Sequence, residues 1–167
     1  MDFHAISSGS DTSMRVLAHR SEMKGERIIA IEFASDLMRE AFEVRYEVFV
    51  DEQGVPRELE ADEFDPVATH LLAIRDEQVV GTLRMLDHGG AAKIGRVAVR
   101  AAARRTGIGA RLMDRAAAIA AERGFAEIIL HAQVAVAGFY RRLGYVEEGD
   151  VFDEAGIPHV AMRKKIA

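Results

Sequence analysis

The run Arg104-Arg105-Thr106-Gly107-Ile108-Gly109-Ala110 sets two arginines, a threonine and two spaced glycines ahead of a long apolar-periodic stretch. Those residue types suit one chemistry, the holding of a phosphate or diphosphate. The first N–H groups of a helix have no partner within it and lie at the positive end of its dipole. Glycines there let an anion approach the backbone closely, and arginines add charge. The turn is not a Walker loop, because no Gly-Lys-Ser/Thr follows the glycines. It is not a dinucleotide fingerprint, because the third glycine is missing. The alternative role is structural: a helix start whose glycines permit tight packing.

The elements around the turn must position it. Ile28–Phe33 reads as a first strand. Ser35 or Asp36 can cap a helix in which Leu37, Ala41, Val44 and Val48 share one face. The segment Asp51–Asp65 carries seven acids against one base, Arg57, and reads as a loop with a short helix at most. It is expected to be solvated, or to form an acidic rim that draws in a cation. Strands at Thr69–Arg75 and Gln78–Leu86 form a hairpin through Asp76-Glu77. His88-Gly89-Gly90 turns into a strand at Lys93–Val99. Ile108, Leu112, Ala116, Ile119 and Ala120 make the buried stripe of the helix after the turn, which Gly124 ends. Ile128–His131 is a short central strand, Ala135–Leu143 a second helix, and Tyr145–Phe152 with His159–Lys164 a closing strand pair. This order predicts an α/β fold built on a mixed sheet with helices on both faces. Residues 27–167 make one domain, and residues 1–26, rich in serine and charge, make a flexible arm.

Composition excludes several functions. There is no cysteine, hence no disulfide framework, thiolate metal site or cysteine nucleophile. The net charge of -5 argues against a nucleic-acid partner. No apolar run reaches membrane-spanning length, and the first residues lack the order of a secretory signal, so no membrane partner and a cytoplasmic location are expected. The six histidines are scattered, with no H-x-x-x-H pair, so no metal is expected.

From about Ile28 to Ile166 the chain resembles the GCN5-related N-acetyltransferase (GNAT) superfamily. Arg45–Gln53 (RYEVFVDEQ), Gly95–Val99 (GRVAV), His131-Ala132-Gln133, Phe139–Tyr145 (FYRRLGY) and Gly156–His159 (GIPH) are similar to its ElaA/YjcF-like branch. The resemblance implies a mostly antiparallel twisted sheet with a splayed strand pair at the CoA site. It implies acetyl-CoA as cosubstrate and an amine acceptor, on a small molecule or a peptide. Backbone groups of Val97, Ala98 and Val99 would pair with pantetheine, and Arg104 to Ala110 would hold the pyrophosphate. Gln133 would stand where many relatives have a pantetheine-binding Asn. Phe139 and Arg142 would neighbour the CoA arm, and Tyr140 would protonate the departing thiolate. Arg105-Thr106 departs from the usual glycine and basic residue. A homodimer is a further expectation from the family.

The implied reaction needs a base. Glu60, Asp62, Asp65, His70, His131 and His159 are the candidates, with a water chain as the alternative. The resemblance favours His131, at the end of the central strand where the family's strands part. Glu47, Glu52 and Gln53 would lie over the acceptor cleft or simply solvate a helix end. Tyr140 has its own alternative, as a core tyrosine with its hydroxyl at the surface. The competing function is a non-catalytic acyl-CoA-sensing module of the same fold.

Overall fold

The computed structural model describes residues 25–167. Most of the expected arm lies outside them. Glu26, placed by the sequence in that arm, instead opens the first strand, where its carboxylate pairs with Arg75 and Arg111. Seven strands form one sheet in the order β1-β2-β3-β4-β5-β7-β6: β1 Glu26–Ile31, β2 Thr69–Arg75, β3 Gln78–His88, β4 Ala91–Val99, β5 Glu127–Gln133, β6 Val146–Glu154 and β7 Ile157–Lys165. Every neighbouring pair is antiparallel except β4 and β5. The mixed sheet read from the sequence is the observed one.

Helices cover both faces. On one face lie α3 (Ile108–Glu122) and α4 (Ala137–Arg142). The stripe Ile108, Leu112, Ala116, Ile119 and Ala120, joined by Met113, packs there against Leu71, Leu83, Ile94, Ile128 and Leu130. On the other face α1 (Met38–Arg45) presses Met38, Ala41 and Val44 onto Ile31, Leu72, Ile74 and Val79. Alternation along the strands separates the two cores, because successive side chains point to opposite faces.

The helix over Leu37–Val50 is not one α-helix. α1 ends at Arg45 and widens into a π-helical segment over Tyr46–Glu52. π-helical stretches are rare and cluster at functional sites. The Asp51–Asp65 loop holds a short α2 (Arg57–Glu60) and leads into a 3₁₀ turn at Asp65–Val67.

β4 and β5 stop pairing partway along their length. Their parallel ladder joins Ala92 to Ile128, Lys93 to Ile129 and Ile94 to Leu130, and ends there. On its other side β4 shifts register against β3 between the pairs Thr82–Ala98 and Arg84–Gly95. The extra residue sits at Arg96, whose φ of +54° is left-handed. Such a bulge bends the strand that carries it. β4 therefore leaves β5 at Gly95, and Val97–Val99 face a gap opposite His131–Gln133.

Gly81 on β3 lets α3 approach the sheet. A Cβ there would stand 3.1 Å from Leu112 Cδ1 and 3.2 Å from Ile108 Cγ2. Gly81→Val is expected to cost roughly 1–3 kcal/mol by overpacking. A lower urea midpoint at unchanged m-value is the measurement that checks it.

Candidate functional site

The site begins at the turn between β4 and α3. Gly107 is the residue before α3, in the left-handed region with φ +84°, and its carbonyl accepts from Arg111 N–H at 3.0 Å. Arg105 is also left-handed, with φ +62°. That is why the family's usual glycine suits this position: a Cβ is disfavoured there, and arginine carries the strain. The turn is braced locally. Thr106 Oγ1 donates to Ala103 O at 2.6 Å and accepts from Arg75 Nη2 at 3.1 Å, while Arg111 Nη2 donates to Thr106 O at 3.1 Å. The first N–H groups of α3, at Ile108, Gly109 and Ala110, are the donors a helix start leaves free.

The two arginines of the turn differ. Arg105 is exposed. Arg104 is turned back: its Nε donates to Val99 O at 2.8 Å and its Nη2 to Glu52 Oε2 at 2.6 Å. It ties the end of β4 to the end of the π-helical segment. Gly109 has a packing reason. A Cβ on it would stand 3.2 Å from Phe139 Cζ, so the glycine admits the Phe139 ring against the first turn of α3. Phe139 in turn meets Tyr140 edge-on, with ring centroids 5.0 Å apart. Turn, α3 and Tyr140 are thereby locked in one arrangement. Arg142 is exposed in the last turn of α4.

Tyr140 is 7% exposed, and burial pushes its hydroxyl up to about 12. It keeps its proton at neutral pH and can only donate it. It belongs to the core on the α3 face, together with Leu130 and Ala132. His131 and Gln133 alternate with those residues and point to the opposite face. His131 is the first residue past the last β4–β5 pair, and its side chain is 35% exposed. Gln133 Nε2 donates to Gln53 Oε1 at 2.8 Å. Two residues that the sequence set on different sides of the site thus meet across the gap.

The acidic segment is the main correction. Asp51, Glu52, Glu58 and Glu63 are solvated as expected, but the rest of its acids are drawn into ion pairs. Glu60 and Asp65 are both 2% exposed, and Arg45 is 1% exposed. Arg45 donates to Glu60 Oε1 at 2.7 Å, to Glu60 O at 2.7 Å and to Asp65 Oδ1 at 2.8 Å. Arg84 donates to Asp62 at 2.6 and 2.8 Å and to Asp65 at 2.9 Å. Arg96, the bulge residue, donates to Glu60 O and to Asp62 Oδ2, each at 3.2 Å. His70 Nε2 donates to Asp65 O at 2.9 Å, and burial lowers the pKa of its ring. Burial works to raise Asp65, but Arg45, the Asp62 N–H and Arg84 outweigh it and hold the carboxyl at about 2. Burial likewise opposes ionisation of Asp62, and Arg84 overrides it. At Glu60 burial wins over the hydrogen bond from Arg45, and its pKa rises. Asp65 and His70 are sealed from any substrate, and Glu60 is held by its arginines. One signal for this was in the sequence. Arg84 sits inside an apolar strand and Arg45 falls on the Ala41–Val44 face of α1, and a buried charge must be paired.

Glu47 is ion-paired with Arg100, 3.1 Å away. His131 and His159, read separately as base candidates, come together. His131 Nδ1 lies 3.1 Å from Glu154 Oε1, and His159 Nε2 lies 3.5 Å from Glu154 Oε2. Nothing in the local sequence around Glu154 marks it for this place. Among the described residues no group of three or more His, Asp or Glu side chains is arranged to hold a metal ion, and no helix is long and apolar enough to cross a membrane.

Comparison with known proteins bears on this geometry. The acetyltransferase (GNAT) domain family matches residues 26–166. YjcF of Bacillus subtilis, described as an uncharacterized N-acetyltransferase, is 38% identical over 128 residues, covering 76% of this chain and 91% of its own. The crystal structure of an acyl-CoA N-acyltransferase from Pseudomonas aeruginosa is 36% identical, with a TM-score of 0.74 over 84% of this chain and 99% of that one. That of Escherichia coli ElaA is 24% identical, with a TM-score of 0.75 over 83% and 99%, a likeness of fold.

The buried ion pairs set an acid limb. Asp62 and Asp65 have folded values below their unfolded ones, so their stabilisation is present above about pH 4 and is lost as the pH falls through those lowered values, about 2 for Asp65. Glu60, raised, runs the other way: its contribution is complete below about pH 4.3 and lost as the pH rises through its folded value. Urea midpoints are expected to fall between about pH 4 and about pH 2. Asp65→Asn should flatten that fall and cost roughly 3–5 kcal/mol at neutral pH, because Arg45 and Arg84 lose a buried charge partner.

Proposed function

The chain belongs to the acetyltransferase (GNAT) domain family and is an acyl-CoA-dependent acyltransferase; on that premise we propose that it transfers acetyl from acetyl-CoA to a primary amine by direct attack. One observation carries this reading: the gap between β4 and β5, which ends on the α3 N-terminus and has Tyr140 on one face and His131 on the other. The matching fragments and the YjcF relative support placement in the ElaA/YjcF-like branch.

The residues present fit a molecule with a diphosphate at one end and a thioester at the other. The N–H groups of Ile108, Gly109 and Ala110 would hold the diphosphate, with Gly107 shaping the turn, Thr106 bracing it and exposed Arg105 adding charge. Arg104, engaged with Val99 O and Glu52, would contribute by holding the turn against β4. The edge of Val97, Ala98 and Val99 that β5 leaves unpaired would pair with the pantetheine amides, Val99 O by exchanging its bond from Arg104. Gln133 would reach the same arm by exchanging its bond to Gln53. Phe139 walls the arm, and Arg142 lies at the open end of α4.

An alkyl amine, with a pKa of about 10.4, is mostly ammonium at neutral pH and must first lose a proton. His131 accepts it on the acceptor face. The amine nitrogen then bonds to the thioester carbon, and the carbonyl oxygen takes the charge. An N–H of the bulged strand near Val97–Val99 stabilises that oxygen. As the C–O double bond re-forms the C–S bond breaks, the bonded nitrogen releases its second proton to water, and Tyr140 gives its proton to sulfur and recovers one from solvent. Tyr140 is protonated at neutral pH, and burial makes it a weaker acid than a free tyrosine, so only a basic thiolate can draw its proton. Exposed Asp51, Glu58 and Glu63 favour a cationic acceptor, on a small molecule or a peptide.

Incubation with acetyl-CoA and a panel of amines, amino acids and peptides is expected to release thiol with at least one of them. Tyr140→Phe should lower kcat by about 10²-fold or more, the range for general acids, while acetyl-CoA binding stays unchanged. Wild-type turnover in that variant would remove Tyr140 from the mechanism. Tight CoA binding without release across the whole panel would favour a sensing module instead.

A further inference from the structure

Beyond the donor arm, the β5–β7–β6 end of the sheet gathers four side chains on the His131 face. The ring of Phe152 stands edge-on to His131 at 5.0 Å and stacks on His159 at 6.1 Å. Glu154 reaches both imidazoles. Its position is set by the β6–β7 hairpin. Glu154 and Ile157 form the last pair before a two-residue turn at Ala155-Gly156, with φ +52° and +78°. Gly156 N–H donates to Asp153 Oδ2 at 3.2 Å and closes that turn. His159 Nδ1 donates to Ile157 O at 2.7 Å, which fixes the neighbouring ring.

We propose that Glu154 is the positioning residue for His131, fixing its proton on Nδ1 and leaving the Nε2 lone pair to take the amine's proton. A carboxylate can only accept, so the hydrogen shared at 3.1 Å belongs to His131 Nδ1. The tautomer of a histidine is set by the bond its other nitrogen makes. Both side chains are open to solvent, at 35% and 48% exposed, so the pair adds little to stability and the proton can pass on to water. The charged and polar groups that face His131 are Glu154 from β6 and, through Glu154, His159 from β7; Gln133 beside it is occupied by Gln53. The inference rests on the proposed role of His131 as the base.

Two measurements test it. Long-range 1H–15N NMR of neutral His131, without any substrate, is expected to show the Nδ1–H tautomer in the wild type and mainly Nε2–H in Glu154→Ala. With a competent amine, Glu154→Ala should lower kcat by about 10-fold, the worth of one hydrogen bond to a charged group. The KM for acetyl-CoA and the urea midpoint should not move. In a His131→Gln background the same substitution should have no further effect on kcat. A wild-type His131 already in the Nε2–H form would overturn the proposal. So would an equal loss of kcat from Glu154→Ala in both backgrounds. If no amine is acylated, the proposed function falls, while the tautomer measurement still decides what Glu154 does.

Discussion

The departure of β4 from β5 is the constraint on which the rest of the molecule depends. Two parallel strands that paired to their ends would leave neither a free edge nor a passage between the faces of the sheet. The ladder stops after Ile94 and Leu130 because Arg96 bulges out of β4 in a left-handed conformation. A non-glycine residue pays for that conformation in steric strain, so something must hold it. Here the guanidinium of Arg96 is bonded to Glu60 O and Asp62 Oδ2, and the split is fixed by the acidic segment that covers this face.

That segment reaches further than the bulge. Arg45 from α1, Arg84 from β3 and Arg96 from β4 converge on Glu60, Asp62 and Asp65. Burying so many charges is costly, and their mutual attraction offsets the cost only when nearly every donor has a partner. The reward is one defined placement of the Asp51–Asp65 segment over the sheet. An apolar loop there could slide. A set of fixed pairs cannot, and it carries Glu52 and Gln53 to the rim where they meet Arg104 and Gln133.

The two faces of the sheet give Tyr140 and His131 different surroundings. Tyr140 sits in the dry core on the α3 face, where burial keeps its proton in place. His131 sits on the other face, open to water and bonded to a carboxylate. Tyr140 and His131 are thereby held on opposite faces of the sheet. Phe139 registers the first of these to the helix start, since its ring fills the space left by the missing Cβ of Gly109.

By itself the sequence determined the elements and the family. Alternation and three-to-four spacing are local properties, and they marked the sheet, the α3 stripe and the helix start at Gly107. The fragments from Arg45 to His159 carried the likeness to GNAT proteins. Tertiary structure alone decided the partners. No spacing rule reveals that Arg45 and Arg84 would meet acids fifteen or more residues away, or that Glu154 would stand beside a histidine of another strand. The reason is physical: periodicity reports which face a residue lies on, whereas pairing depends on register, on bulges such as that at Arg96, and on how the π-helical segment delivers the loop behind it. At Gly109 the sequence allowed either close approach of an anion or tight packing, and the structure supplies the packing partner, the ring of Phe139.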